Sequence, residues 1–142
     1  MKYFLLSFSS IFFCSFCFGQ LQRTLFNDNW EFQLQTSDPI SIVSLPHTPK
    51  LEPLVMNGQF LGEVVYRKRF DYPLEKGRRL SIHFEGAMHT AEVFLNGQLV
   101  GSHIGGYLPF DVDLTSELQD SANVLEVYLD NREDPTVPPG KP

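Results

Sequence analysis

The sequence predicts an all-β domain, a sandwich or barrel of antiparallel strands, on three observations. After residue 19, apolar residues recur with period two along almost every segment. Turn signals separate these segments at Glu75-Lys76-Gly77, Gly86, Asn96-Gly97, Gly105-Gly106 and Ser121-Ala122-Asn123, a spacing typical of sheet proteins. One short stretch alone, 114–119, carries a helical signal. The chain has 142 residues, of which 42% are hydrophobic, enough material for one core and too much for a disordered polypeptide.

The elements follow in order. Residues 1–19, "MKYFLLSFSSIFFCSFCFG", place one Lys before an apolar and Ser-rich run that ends at Gly19. This is the charge, apolar and small-residue pattern of a signal peptide, and the run is short for a membrane span of about 20 residues. Export to the periplasm or the extracellular space, without a stable membrane anchor, is therefore expected. Cys14 and Cys17 both follow Phe, whereas a lipid-attachment site wants a small residue there, and cleavage after Gly19 removes both thiols. Residues 36–59 hold four prolines and read as an extended loop wrapping the sheet without pairing in it. In "VVYRKRFDY", Val64, Tyr66, Phe70 and Tyr72 form one face, interrupted by Lys68. Leu80, Ile82 and Phe84 form the next inward face, then Phe110, Val112 and Leu114, then Leu125, Val127 and Leu129. Asn96-Gly97 joins two apolar runs as a two-residue hairpin loop, because this dipeptide best tolerates positive φ at both positions. "LTSELQ", 114–119, reads as a helical turn capped by Thr115 or Ser116. The last eight residues, "PTVPPGKP", contain four prolines and supply no closing strand, so the domain is expected to be truncated at its C-terminal end.

Several function classes are disfavoured. With 11 basic and 17 acidic residues the formal charge is −6, which repels nucleic-acid phosphates. His47, His83, His89 and His103 lack metal-ligand spacing, so neither a metal nor another cofactor is expected. No G-x-S-x-G elbow occurs, and Gly105-Gly106 precedes a strand where a phosphate loop would precede a helix. Glu63, Glu85 and Glu92 read as the solvated face of strands.

"FNDNWEFQL", "LPHT", "VVYRKRFDYP", "LSIHFEGAMHTAEVFLNGQLVGSHIGGYLPFDVDLT" and "NVLEVYLDNREDPTVPPGKP" occur in an order that resembles the N-terminal sugar-binding domain of glycoside hydrolase family 2. That family includes β-galactosidases, β-glucuronidases and β-mannosidases, and the resemblance covers about residues 25–142. It implies a galactose-binding-like jelly-roll β-sandwich over 20–142. It also implies an immunoglobulin-like domain and a TIM barrel with two catalytic glutamates further along, and no segment of this chain resembles either.

The implied function is the non-catalytic sugar-binding domain of a secreted β-galactosidase-like hydrolase. Its partners would be a carbohydrate with a terminal β-linked sugar and the remaining domains of the parent enzyme. A freestanding carbohydrate-binding module and a structural or adhesion sandwich are the alternatives. By resemblance, the Asn of the "LNG" hairpin reaches into the sugar pocket, and Asn96 holds that place. Asn131 and Arg132, beside Asp130, lie at the corresponding domain edge and complete the expected substrate-binding set, although the inward parity of Asn131 also suits a buried strand cap. Trp30, Tyr107 and Phe110 offer a stacking platform, with core packing the stronger reading for Trp30 and Phe110.

Overall fold

The computed structural model describes residues 21–34, 38–49, 60–73 and 75–132. The proposed leader and the proline-rich last eight residues lie outside the described residues, as do 50–59 of the extended loop.

Eight strands are formed: β1 (Trp30–Gln33), β2 (Ser41–Val43), β3 (Glu63–Phe70), β4 (Ser81–Phe84), β5 (Thr90–Leu95), β6 (Gln98–Ile104), β7 (Phe110–Asp113) and β8 (Asn123–Asp130). They make a six-stranded sheet, ordered β2-β1-β3-β8-β5-β6, and a two-stranded sheet, β4-β7. Every pairing is antiparallel. The fold is an all-β sandwich, as the alternating pattern predicts.

Alternation explains how the layers face each other. Trp30, Phe32, Val64, Tyr66, Val93, Leu95, Leu125 and Val127 project from one face of the large sheet and are buried. Val112 and Leu114 meet them from the second layer, with Ile82, Phe84 and Phe110 packed around. The layers approach so closely at Gly101 that an added Cβ would lie 2.8 Å from both γ carbons of Val112. A bulge after Val93 puts an extra residue, Val100, on β6, and this sets the register that aims Gly101 inward. Lys68, the interruption in the β3 pattern, reaches over the Phe26 ring, 4.2 Å from its centre, and donates to the carbonyls of Phe26 and Asp28. Desolvation there holds its pKa below the usual lysine value.

Two local expectations are corrected. Residues 41–43 do pair: Trp30 lies opposite Val43 and Phe32 opposite Ser41, so part of the proline-containing segment is the edge strand β2. Pro39 and Pro46 fall on either side of Ser-Ile-Val, where a missing donor costs the ladder nothing. Residues 115–117 form a turn and no helix. Thr115, one of the two expected caps, serves a tertiary contact instead: its hydroxyl accepts from Leu80 N at 3.0 Å and donates to Leu80 O at 3.3 Å, while Asp113 Oδ1 accepts from Thr115 N at 2.9 Å.

Candidate functional site

β8 is the spine on which the candidate residues are placed, since it pairs with β3 along one side and β5 along the other. At its N-terminal end the chain turns through Asn96 and Gly97, with φ of 52° and 82° as a type I′ loop requires. The Asn96 side chain then folds back onto the protein. Its Nδ2 donates to Glu117 O at 2.7 Å and to Asn123 Oδ1 at 3.1 Å, and its Oδ1 accepts from Val124 N at 2.9 Å. Asn123 is fully buried, and its amide also accepts from Gln119 N at 2.8 Å and donates to Gln119 O at 2.7 Å. Together the two amides tie the β5–β6 hairpin to the turn before β8. An asparagine amide has two N–H donors, so the one that was expected to donate to a sugar is fully committed within the chain.

At the C-terminal end of β8, Asn131 clamps the strand that enters β3. Its Oδ1 accepts from Gly62 N at 2.7 Å, its Nδ2 donates to Phe60 O at 2.5 Å, and its own N–H donates to Gly62 O at 3.2 Å. This is the strand-cap role that its parity allowed. Arg132 is exposed and grips two carboxylates: Nε and Nη2 reach Asp130 at 2.6–3.1 Å, and Nη2 reaches Glu63 Oε1 at 2.5 Å. Hydrogen bonding to the Arg132 guanidinium holds the Asp130 carboxyl below its ordinary value. His89 joins this end: its N–H donates to Asp130 O at 3.0 Å, its Nδ1 lies 3.2 Å from Asn131 O, and its carbonyl accepts from Gly105 N at 2.7 Å. Tyr107 and Leu108, 57% and 69% exposed, occupy the loop that follows.

The residues of the expected substrate-binding set fall at two places along β8. Asn131 and Arg132 lie together, but Asn96 binds Val124, seven residues back along an extended strand. At about 3.4 Å per residue the two ends are roughly 24 Å apart, so Asn96 stands apart from the Asn131 and Arg132 pair. The stacking platform also separates. Trp30 is 1% exposed and donates from Nε1 to Phe26 O at 2.8 Å. Phe110 stacks between Phe84 and His103, with ring centres 4.7 and 4.1 Å away, and only Tyr107 of the three faces outward.

The remaining histidines serve packing or surface pairs: His47 Nδ1 lies 3.0 Å from the Tyr66 hydroxyl, and His83 Nδ1 lies 2.9 Å from Asp111. Among the described residues no three His, Cys, Asp or Glu side chains converge as a metal-binding group. A depression on the outer face of the large sheet, lined by Glu92, Phe94, Gly97, Glu126 and Tyr128, was not expected. Its signal was present in the sequence: Phe94 and Tyr128 stand at outward parity on β5 and β8, where alternation calls for polar side chains.

Residues 56–136 match the family model for the glycosyl hydrolase 2 galactose-binding domain-like. A β-galactosidase of Thermoanaerobacter pseudethanolicus is 36% identical over 118 residues, covering 80% of this chain and 16% of that protein. A β-galactosidase of Bacteroides ovatus is 34% identical, with the same two coverages of 80% and 16%. Among solved structures, an FMN-binding β-glucuronidase from Facaelibacterium prausnitzii superposes with a TM-score of 0.72 at 26% identity, over 82% of this chain and 19% of that one. The β-glucuronidase of Bifidobacterium dentium, solved with coumarin-3-O-glucuronide, gives 0.63 at 32% identity, over 77% and 20%. The chain thus spans about a fifth or less of the proteins it is similar to. Alternating strands, an "LNG" hairpin locked by two asparagine amides, and a family match over more than half the chain agree: this chain belongs to the glycosyl hydrolase 2 galactose-binding domain-like family.

Proposed function

We propose that the chain is the non-catalytic, sugar-binding, jelly-roll domain at the N-terminus of an exported β-glycosidase of β-galactosidase type. One observation carries this reading: most of the chain matches about one sixth of two β-galactosidases. Retaining glycoside hydrolysis needs two carboxyl groups about 5 to 5.5 Å apart, one of them protonated at working pH through a raised pKa. The neighbouring carboxylates Asp130 and Glu63 oppose that requirement, because Arg132 bridges both and holds Asp130 below its usual range. In this reading the two catalytic glutamates belong to a barrel encoded beyond residue 142, and the domain contributes carbohydrate contacts and packing to that barrel. The pattern of residues 1–19 supports export.

The test has two arms. Sequencing the coding region beyond Pro142 should reveal an in-frame barrel. The enzyme so defined should hydrolyse aryl β-galactosides or β-glucuronides, whereas the present chain should turn over neither. Turnover by the rigorously purified chain, abolished by substituting one of its own glutamates, would refute the proposal.

A further inference from the structure

The outer face of the six-stranded sheet departs from the polar surface that alternation prescribes. Register aligns Glu31, Arg67, Glu126, Phe94 and Leu99 in one row across the sheet. The next row holds Gln33, Val65, Tyr128, Glu92 and Ser102. Where β5 meets β8, each aromatic therefore has a carboxylate as its cross-strand partner, Phe94 beside Glu126 and Tyr128 beside Glu92. The two rings meet edge to face with centres 5.4 Å apart. Together with Gly97, these four side chains line an open depression of about 310 Å³. Tyr128 stays 40% exposed and the adjoining Leu99 57% exposed, so apolar surface is left in water there.

The carboxylates are not equivalent. Arg67 binds Glu126 through Nε at 2.8 Å and Nη2 at 2.7 Å, both to Oε1. Hydrogen bonding to Glu126 raises the Arg67 pKa, and Glu31 lies 3.7 Å away on the other side. Glu126 is thus held in one orientation, with Oε2 left to accept a further donor, while Glu92 is exposed. An oriented acceptor beside aromatic surface suits a ligand that has hydroxyl donors on one side and C–H surface on the other. A sugar ring has both. The negative charge of Glu92 disfavours an anionic sugar, and the volume falls at the lower end of the range for small-ligand sites.

We propose that the depression between Glu92, Phe94, Glu126 and Tyr128 is a non-catalytic binding site for an uncharged sugar unit of a polysaccharide, separate from the Asn131–Arg132 end of β8. The choice of ligand class rests on the glycosidase reading; the position of the site does not.

Affinity electrophoresis of the full chain tests it, in native gels containing β-1,4-galactan, xylan or hydroxyethylcellulose, with polygalacturonate as the anionic counterpart. At least one neutral polymer should retard the chain, and polygalacturonate should not. Tyr128→Ala and Glu92→Ala should each weaken the retardation about tenfold or more, as loss of a stacking surface or a charged acceptor does. His83→Ala, on the two-stranded sheet, should leave it unchanged. Both key side chains are exposed, and a retained thermal transition checks that each variant is folded. The proposal is overturned if no neutral polymer retards the chain, if polygalacturonate retards it equally, or if both substitutions leave retardation intact. Self-association that these substitutions abolish, without polymer binding, would likewise overturn it and mark a protein-docking face. Hydrolysis of a small aryl glycoside by the complete enzyme reports separately on the glycosidase reading, so either idea can fail alone.

Discussion

Replacing Asn96 with glycine separates the turn from the amide. Glycine adopts the φ of 52° at no steric cost, so the backbone of the hairpin is preserved. For a pure turn residue the cost would be a few tenths to about 1 kcal/mol, chiefly from unfolded-chain entropy. The structure demands more. The substitution deletes the bonds to Glu117 O, Asn123 Oδ1 and Val124 N. At a net value of about 0.5–1.5 kcal/mol each, their loss predicts a destabilisation of about 2–3 kcal/mol. For a domain of this size that lowers the midpoint of thermal unfolding by about 10 °C. Circular dichroism during heating and in urea measures it, and a double-mutant cycle with Asn123→Ala should show coupling of about 0.5 kcal/mol or more, since the two amides share one network. A loss below about 1 kcal/mol at unchanged urea dependence would refute the clamp and return Asn96 to a simple turn residue. Kinetics of the proposed parent glycosidase address the other question. If the amide serves only the chain, kcat/KM per folded molecule stays at the parent value; a contact with a substrate hydroxyl would lower it roughly tenfold or more.

Gly101→Ala should destabilise by about 1–3 kcal/mol, because its Cβ would overlap Val112, and Gly101→Ala combined with Val112→Ala should cost less than the two changes summed. Burial raises the Tyr66 pKa to about 12. The folded state therefore keeps this proton where the unfolded chain loses it, and a contribution on the order of 2 kcal/mol should be present below pH 10 and disappear between about pH 10 and 12. Urea titrations across that window should show the loss, and Tyr66→Phe should flatten it. Asp130, held low by Arg132, has the opposite sign: its contribution is present above the ordinary carboxylate range and is lost as acid protonates it. An NMR titration should find its carboxyl shifting upward in Arg132→Gln, with stability unchanged between pH 5 and 8.

What was legible in the sequence was whatever depends on local period. Inward parity placed Val64, Tyr66, Val112, Leu125 and Val127 in the core, and Asn96-Gly97 marked the hairpin. What was not legible depends on partners distant in sequence. Ser-Ile-Val at 41–43 is too short to announce a strand between prolines, and it becomes one only because β1 offers an edge. Thr115 has the chemistry of a helix cap, yet the Leu80 backbone, 35 residues earlier, takes its hydroxyl. Phe94 and Tyr128 each look like an isolated breach of alternation. The pairing of β5 with β8 turns the two breaches into one aromatic and acidic surface.

The same limit governs the substrate-binding set. Asn96 and Asn131 are chemically alike, and each follows the last residue of a strand, β5 and β8 respectively, so nothing in residue type separates them. Register does: Asn96 bonds to Val124 and Asn131 follows Asp130, at opposite ends of one strand. A ligand that meets Arg132 has Asp130, Glu63 and His89 as neighbours, while the amide of Asn96 lies at the far end of β8. A contact through Asn96 would need a second ligand surface at the hairpin end, with only one lone pair of its Oδ1 to offer. Because Arg132 is exposed and Asn131 is bound to Phe60 and Gly62, the group at the C-terminal end best able to turn toward a ligand is the guanidinium, with its carboxylate partners setting how far it can swing.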